Sequence, residues 1–552
     1  MFHQLLTPVG NSLALSCLVA ILPAFTVLLL LGVLRRAAWQ AALAGLIVGI
    51  VVAVIPWQMP LSMALNSVFN GSVFALWPVM WIVLNGLLLY NIAVHSGRFE
   101  AFRSWVVLHL PHDRRVILIV IGFCFGALME GVAGFGTPVA ITSALLILLG
   151  FPQLEALVFV LIFNTAPVAF GALGAPITVL AAVTNLPANV LGQMVGRQLP
   201  FMAFILPFYV MALYGGWRSV RALWPILLVS GGSFAGMQFL ASNYINYTLT
   251  DVLSSLGSLI ITLLFLRVWR PAVDPEFAIA DARVNSAVGV ATAGGAMPAK
   301  PVPPWQGWLP WLIVSAVVIL WTTYKIAVVG QQAINWPGLH KLISITLYND
   351  KPYAAVWTFQ PLGTGTAILL AAIITAAIVR LSPTGFLRCV GYTIRQAWLA
   401  VVTVMLIVGL AYLMNYSGLA YTLGKGAASV GHLFILFSPF LGWLAVFLSG
   451  SDTSGNALFG NLQVVAARQL QLNPVLFAAT NSSGGVMGKM ISPQNIATGV
   501  AVTSLKGREG EVVARTFIHS VVLTILLALL VVIQQYVVPQ MIPALPAATA
   551  AQ

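Results

Sequence analysis

Charge is what this chain has least of. Of 552 residues, 7% are Asp, Glu, Lys or Arg and 60% are hydrophobic, whereas a soluble domain carries about 25% charged residues. A water-soluble fold of this length could not hide so much apolar surface, and a bilayer can accept it. Cysteine is almost absent as well. Cys17, Cys124 and Cys389 stand far apart, which excludes a disulfide framework and the paired spacing of a metal site. The sequence has no phosphate-binding loop, zincin helix or nucleophile elbow, so an ATP-driven pump or a membrane enzyme lacks its machinery. The N-terminus has no basic stretch ahead of its first apolar run (13–33), so that run reads as an uncleaved spanning helix. No metal, cofactor or catalytic residue is expected.

The 12 acidic residues can all be placed. Glu100, Asp113, Asp274, Glu276, Asp281, Asp350, Glu509 and Glu511 fall in polar connections, and Glu155 and Asp251 near the starts of apolar runs. Glu130 and Asp452 remain deep inside hydrophobic segments. The net charge of +13 does not indicate nucleic acid, because the basic residues gather in short loops between apolar runs.

A crossing needs about 20 apolar residues. Windows at 13–33, 39–56, 72–94, 198–216, 221–240, 249–268, 308–330, 362–381, 396–417 and 513–538 satisfy this. Regions 115–186 and 433–505 are apolar but are each interrupted twice by Gly, Pro, Asn, Ser and Thr, as a re-entrant hairpin followed by a broken helix would be. Clusters at Arg35/Arg36, Arg98–Arg115, Arg218/Arg221, Arg267–Lys300, Arg380–Arg395 and Lys506–Arg515 mark cytoplasmic loops, with both termini outside. The two interrupted regions are then entered from opposite sides. Their landmarks also correspond, Glu130 to Asp452 over 322 residues and Asn164 to Asn481 over 317.

The expected fold is therefore an all-α polytopic membrane protein of two inverted-topology repeats, with about 12 full crossings plus hairpins. Residues 1–216 form the first repeat (hairpin 115–150, broken helix 153–186) and 217–268 a connecting helix pair. Residues 269–307 are a polar cytoplasmic linker, and 308–552 form the second repeat (hairpin 433–471, broken helix 474–505). Residues 331–361 are an outside loop, read as a connector with a lid as the rival.

Four stretches carry chemistry. In Phe125–Ala140, glycines including Gly131 and Gly134, with Pro138, break the helix at Glu130. A carboxylate at that depth is costly unless paired, solvated or protonated, which suits a proton carrier; the rival is a structural acid bonded to backbone amides. In Asn164–Ile177, Asn164 and Thr165 precede prolines and glycines, and new helix N-termini there offer an anion site. In Ser449–Gln463, Asp452 lies among Ser451, Thr453 and Ser454, either as a second proton carrier or as a helix cap. In Ala479–Ala497, Asn481, Ser482 and Ser483 precede Lys489. This lysine neutralises a substrate carboxylate, snorkels to the interface or pairs with Asp452. Arg197 and the loop histidines are weaker candidates.

These stretches, as FGALMEGVAGFGTPVA, FNTAPVAFGALGAPI, QMVGRQLPF, FLSGSDTSGNALFG and GKMISPQNIA, resemble the bacterial lactate permease family, which includes L-lactate and glycolate permeases. The resemblance runs the length of the chain. It implies an inner-membrane carrier importing L-lactate, D-lactate and glycolate with protons, without fixing the site residues. A sodium-coupled carboxylate carrier, a passive anion channel and an energy-coupling subunit are the rival functions.

Overall fold

The computed structural model describes residues 1–132, 134, 137–272, 274–279 and 302–546. Most of the 269–307 linker, and Gly136 of the first break, lie outside the described residues. The architecture is helical. The first half runs through α1 (Leu13–Val33), α2 (Ala38–Val54), α3 (Leu61–His95), α4 (Arg114–Val132), α5 (Thr137–Leu148), α6 (Gln153–Phe163) and α7 (Gly171–Thr184). Next come α8 (Leu199–Leu240) and α9 (Thr250–Val268).

The second half has α10 (Leu309–Thr323), α11 (Thr364–Ile378), α12 (Pro383–Ser417) and α13 (Leu419–Ala428). It continues through α14 (Phe434–Ser449), α15 (Asp452–Gln469), α16 (Pro474–Lys489), α17 (Pro493–Val500) and α18 (Glu509–Tyr536).

Among the described residues nine helices are long and apolar enough to cross a membrane, and ten if the bent α6–α7 pair is one span. Apolar helices such as α2 and α11 fall short of that length, so the count is nine or ten where the sequence suggests about 12. Two windows that read separately, 198–216 and 221–240, lie in the one run α8, which breaks from helical geometry at Gly216 (φ +65°). Leu18, Phe25, Ile47, Phe69, Leu264 and Leu529 are exposed, a surface suited to lipid and not to water.

The interruptions fall inside the two unusual regions. Helix α4 stops at Val132 and α5 starts at Thr137, with Gly134 between them at φ +55°. Helices α6 and α7 bend by 65°. In the second region, α14 ends at Gly450 (φ +71°) before α15, and α16 ends before Ser492 starts α17. Helices α14 and α16 lie so close that a Cβ at Gly442, Gly484 or Gly488 would collide with carbonyl oxygens of Asn481, Pro439 or Trp443. Small residues at such contacts let helix backbones approach where lipid gives no hydrophobic drive to association.

Residues 332–359 are a folded cap. Strand β1 (Phe2–His3) pairs in parallel with β3 (Ile343–Ile345), which pairs with β4 (Lys351–Pro352). Strands β2 (Gln332–Asn335) and β5 (Val356–Phe359) form an antiparallel ribbon. The cap is tied to α3, where Trp336 Nε1 donates to Asn66 Oδ1 at 2.9 Å and Asn66 Nδ2 donates to the Pro337 carbonyl at 2.7 Å. The described end of the linker also docks. Buried Arg115 holds Asp113 at 2.7 Å and Asp274 at 3.3 Å.

Candidate functional site

The four breaks meet around one small cavity of about 40 Å³. Gly134 comes from the junction of α4 and α5, Gly171, Ala172 and Pro176 from α7, Gly450–Thr453 from the junction of α14 and α15, Lys489 from the end of α16 and Gln494 from α17. Glu130 and Asp452 line the same cavity. The backbone beside it is unusual, with Ala172 and Leu173 at φ +46° and +56°, a region that costs a non-glycine residue about 1–3 kcal/mol.

Glu130 is 2% exposed. Its Oε1 accepts from Lys489 Nζ at 2.6 Å and its Oε2 from Asn164 Nδ2 at 3.0 Å. The ion pair therefore joins the end of α4 to the end of α16. Among the three readings of Lys489, the structure has it paired, but with Glu130 and not with Asp452. Gly171 is required by this arrangement, since a Cβ there would lie 2.9 Å from Glu130 Oε1.

Asp452 is the first residue of α15 and does not cap it. The cap is Ser451, whose Oγ accepts from the Ser454 amide at 3.3 Å. Asp452 Oδ2 accepts from Ser482 Oγ at 2.5 Å and Asn456 Nδ2 at 3.2 Å, while Oδ1 has no hydrogen-bond partner among the described residues.

Several expected substrate contacts point elsewhere. Thr165 donates to the Ile162 carbonyl at 2.7 Å, closing its own turn. Asn481 donates to Asn456 Oδ1 at 3.0 Å and accepts from Gln463 at 3.3 Å. Ser483 donates to Gln198 Oε1 at 2.7 Å, and Gln198 in turn donates to Thr480 of the same helix and to Gln534. Ser454 is buried and Gly131 packs on α9, and neither lines the cavity. Successive residues on a helix turn by about 100°, so a run of polar neighbours cannot all face one ligand. Arg197 binds Asn243 Oδ1 at 2.8 Å and the Met541 carbonyl at 2.7 Å, a structural tie.

Sequence reading missed Asp251. It is 1% exposed and neither carboxyl oxygen has a partner among the described residues. A Cβ on Gly131 would lie 2.7 Å from Asp251 Cβ, so the side chain packs one residue from Glu130. Glu130 and Asp452 thus share a cavity with Lys489, and Asp251 is a third buried acid, packed against Gly131 beside Glu130. The larger hollow, about 520 Å³ between Trp105, Leu263 and Trp308 with exposed Arg267 and Arg270, contains none of these acids.

Residues 16–538 match the family model described as L-lactate permease. This chain belongs to the L-lactate permease family. It is 41% identical to the L-lactate permease of Escherichia coli K12 over 86% of this chain and 88% of the relative. It is 41% identical to Glycolate permease GlcA of the same organism over 97% and 98%. Among solved structures, MtrF of Neisseria gonorrhoeae aligns with TM-score 0.51 over 92% of this chain and 97% of that one, at 13% identity, a likeness of fold alone. As a permease, this family member is a multi-pass membrane transporter and not an enzyme.

Proposed function

We propose that this permease carries small 2-hydroxy monocarboxylates, lactate and glycolate, into the cell with a proton, through the inner membrane and by alternating access. The relatives' names support the substrate class, and the lysine and arginine distribution supports a cytoplasmic linker with both termini periplasmic.

The observation that carries the reading is the buried Lys489–Glu130 ion pair at the junction of the four breaks. A substrate carboxylate competes with Glu130 for the ammonium group. When it takes Lys489, Glu130 is left in a dry site with only Asn164, where an unpaired carboxylate is expensive, and accepts a proton. The site then gains one negative and one positive charge together, so loading is electroneutral. Moving the anion alone against an interior-negative potential would cost about 2.3 kcal/mol per 100 mV. Asn164, Ser451 and Thr453 supply hydrogen bonds near the carboxylate and hydroxyl. Asp452 is a second proton holder, and Asp251 lies behind Glu130 as a third.

A water position needs about 10–15 Å³, so the 40 Å³ cavity holds roughly three. Lactate has six heavy atoms. Binding therefore requires the hairpin tips to part from the bent helices, and movement of these elements about the inverted repeats provides the access change.

The test is uptake of labelled lactate into proteoliposomes under imposed pH and voltage gradients, with choline replacing sodium. Accumulation driven by an inward proton gradient without sodium supports symport. Dependence on sodium, or uptake that only equilibrates, refutes it.

A further inference from the structure

A second cavity, about 190 Å³, lies under the folded cap and differs in character from the central one. Its walls are the cap (Ile345, Tyr348, Lys351–Ala354), the end of α7 (Thr184, Asn185), Tyr421 of α13, and Asn461 and Arg468 of α15. Two cations, Lys351 and Arg468, line it, and no carboxylate does among the described residues. The Arg468 guanidinium lies 5.4 Å from the centre of the Tyr348 ring. The Tyr348 hydroxyl is buried beside that guanidinium, a donor, and finds no acceptor among the described residues. A buried hydroxyl of this kind normally finds an acceptor, and one beside the Arg468 guanidinium is suited to an anionic acceptor. The neighbouring acid, Asp350, is engaged with Ser344 at 2.8 Å and His3 at 3.3 Å.

This cavity and the central one are built on the same two helices. Asp452 and Asn461 lie nine residues apart on α15, about 13.5 Å along its axis. Pro176 and Thr184 span a similar distance on α7. Between the cavities the helices touch at Gly460, where a Cβ would fall 2.6 Å from Leu180 Cδ1 and 3.2 Å from Val183 Cγ2.

We propose that the capped cavity is an outer binding vestibule for small monocarboxylate anions, held by Arg468, Lys351 and the Tyr348 hydroxyl, from which the central cavity is loaded across the Gly460 crossing. This rests on the transport reading above. The cap is then part of the substrate path, and the two cations raise the local concentration of anions in front of a site that is itself narrow.

The experiment is the initial rate of labelled L-lactate uptake into proteoliposomes by wild type, Arg468→Gln, Arg468→Lys and Lys351→Gln, in about 20 mM and about 200 mM salt. In low salt Arg468→Gln raises KM at least about fivefold with a much smaller effect on kcat, Arg468→Lys recovers most of the loss, and the gap to wild type narrows in high salt. Lys351→Gln, on the cap and away from the helix packing, moves KM in the same direction if Arg468→Gln does not fold. An unchanged KM in Arg468→Gln or, failing that variant, in Lys351→Gln overturns the vestibule while leaving lactate transport intact. So does a loss confined to kcat. Wild-type protein without saturable lactate uptake overturns both proposals.

Discussion

Glu130 receives one hydrogen bond from Asn164, close in sequence, and one from Lys489 in the other half of the chain. Breaking that second contact leaves a buried carboxylate uncompensated, a loss of about 3–5 kcal/mol. Lys489→Met is therefore expected to lower thermal stability in detergent, and adding Glu130→Gln to recover most of it while transport stays absent. A double variant as unstable as Lys489→Met would remove the ion pair from the account. Asp251 behaves differently because its oxygens have no hydrogen-bond partner to lose among the described residues. Asp251→Asn should leave the melting temperature unchanged or raised, yet reduce proton-driven lactate accumulation at least about tenfold with counterflow exchange preserved. Full accumulation would exclude it from proton handling. Glu130 and Asp452 were legible in the sequence because an acid inside an apolar run is conspicuous. Asp251 was not, since its place at the start of such a run reads as interfacial, and only packing against Gly131 reveals its neighbour. The direction of each side chain on α16 was illegible too, because adjacent Asn481, Ser482 and Ser483 read as one polar patch but face three different partners.

At the level of elements, the close pair α14–α16 positions both Ser482 and Lys489 and depends on glycines with no room for a side chain. Gly484→Val should destabilise the protein by about 1–3 kcal/mol or prevent folding, through overpacking against the Pro439 carbonyl, measured as a fall in detergent melting temperature. An unchanged melting temperature would contradict the close approach. The cap makes a prediction in pH. Hydrogen bonds from Ser344 and then His3 hold the Asp350 carboxyl below the usual carboxylate range. A depressed carboxylate stabilises the fold above its unfolded value of about 4 and loses that contribution as pH falls through the folded value. Docking of Phe2–His3 onto Ile343–Ser344 should thus loosen only in strong acid. Amide exchange at Phe2 and Gln4 checks this, and equal protection in strong acid and at neutral pH would refute it. The breaks in both regions were readable from Gly, Pro and Ser clusters. The cap was not, because its strands are two to four residues long and one partner strand comes from the far N-terminus.

At the scale of the whole molecule, helix breaks in both halves of the chain bring two acids and a lysine from distant sequence to one cavity, and a second, cationic cavity lies along α7 and α15. The central claim is that a proton is exchanged at Glu130 whenever a monocarboxylate takes Lys489. The most direct test is labelled lactate accumulation in Glu130→Gln proteoliposomes under an inward proton gradient, beside counterflow exchange in the same vesicles. The account predicts that accumulation is abolished and exchange retained. Wild-type accumulation in that variant would contradict it.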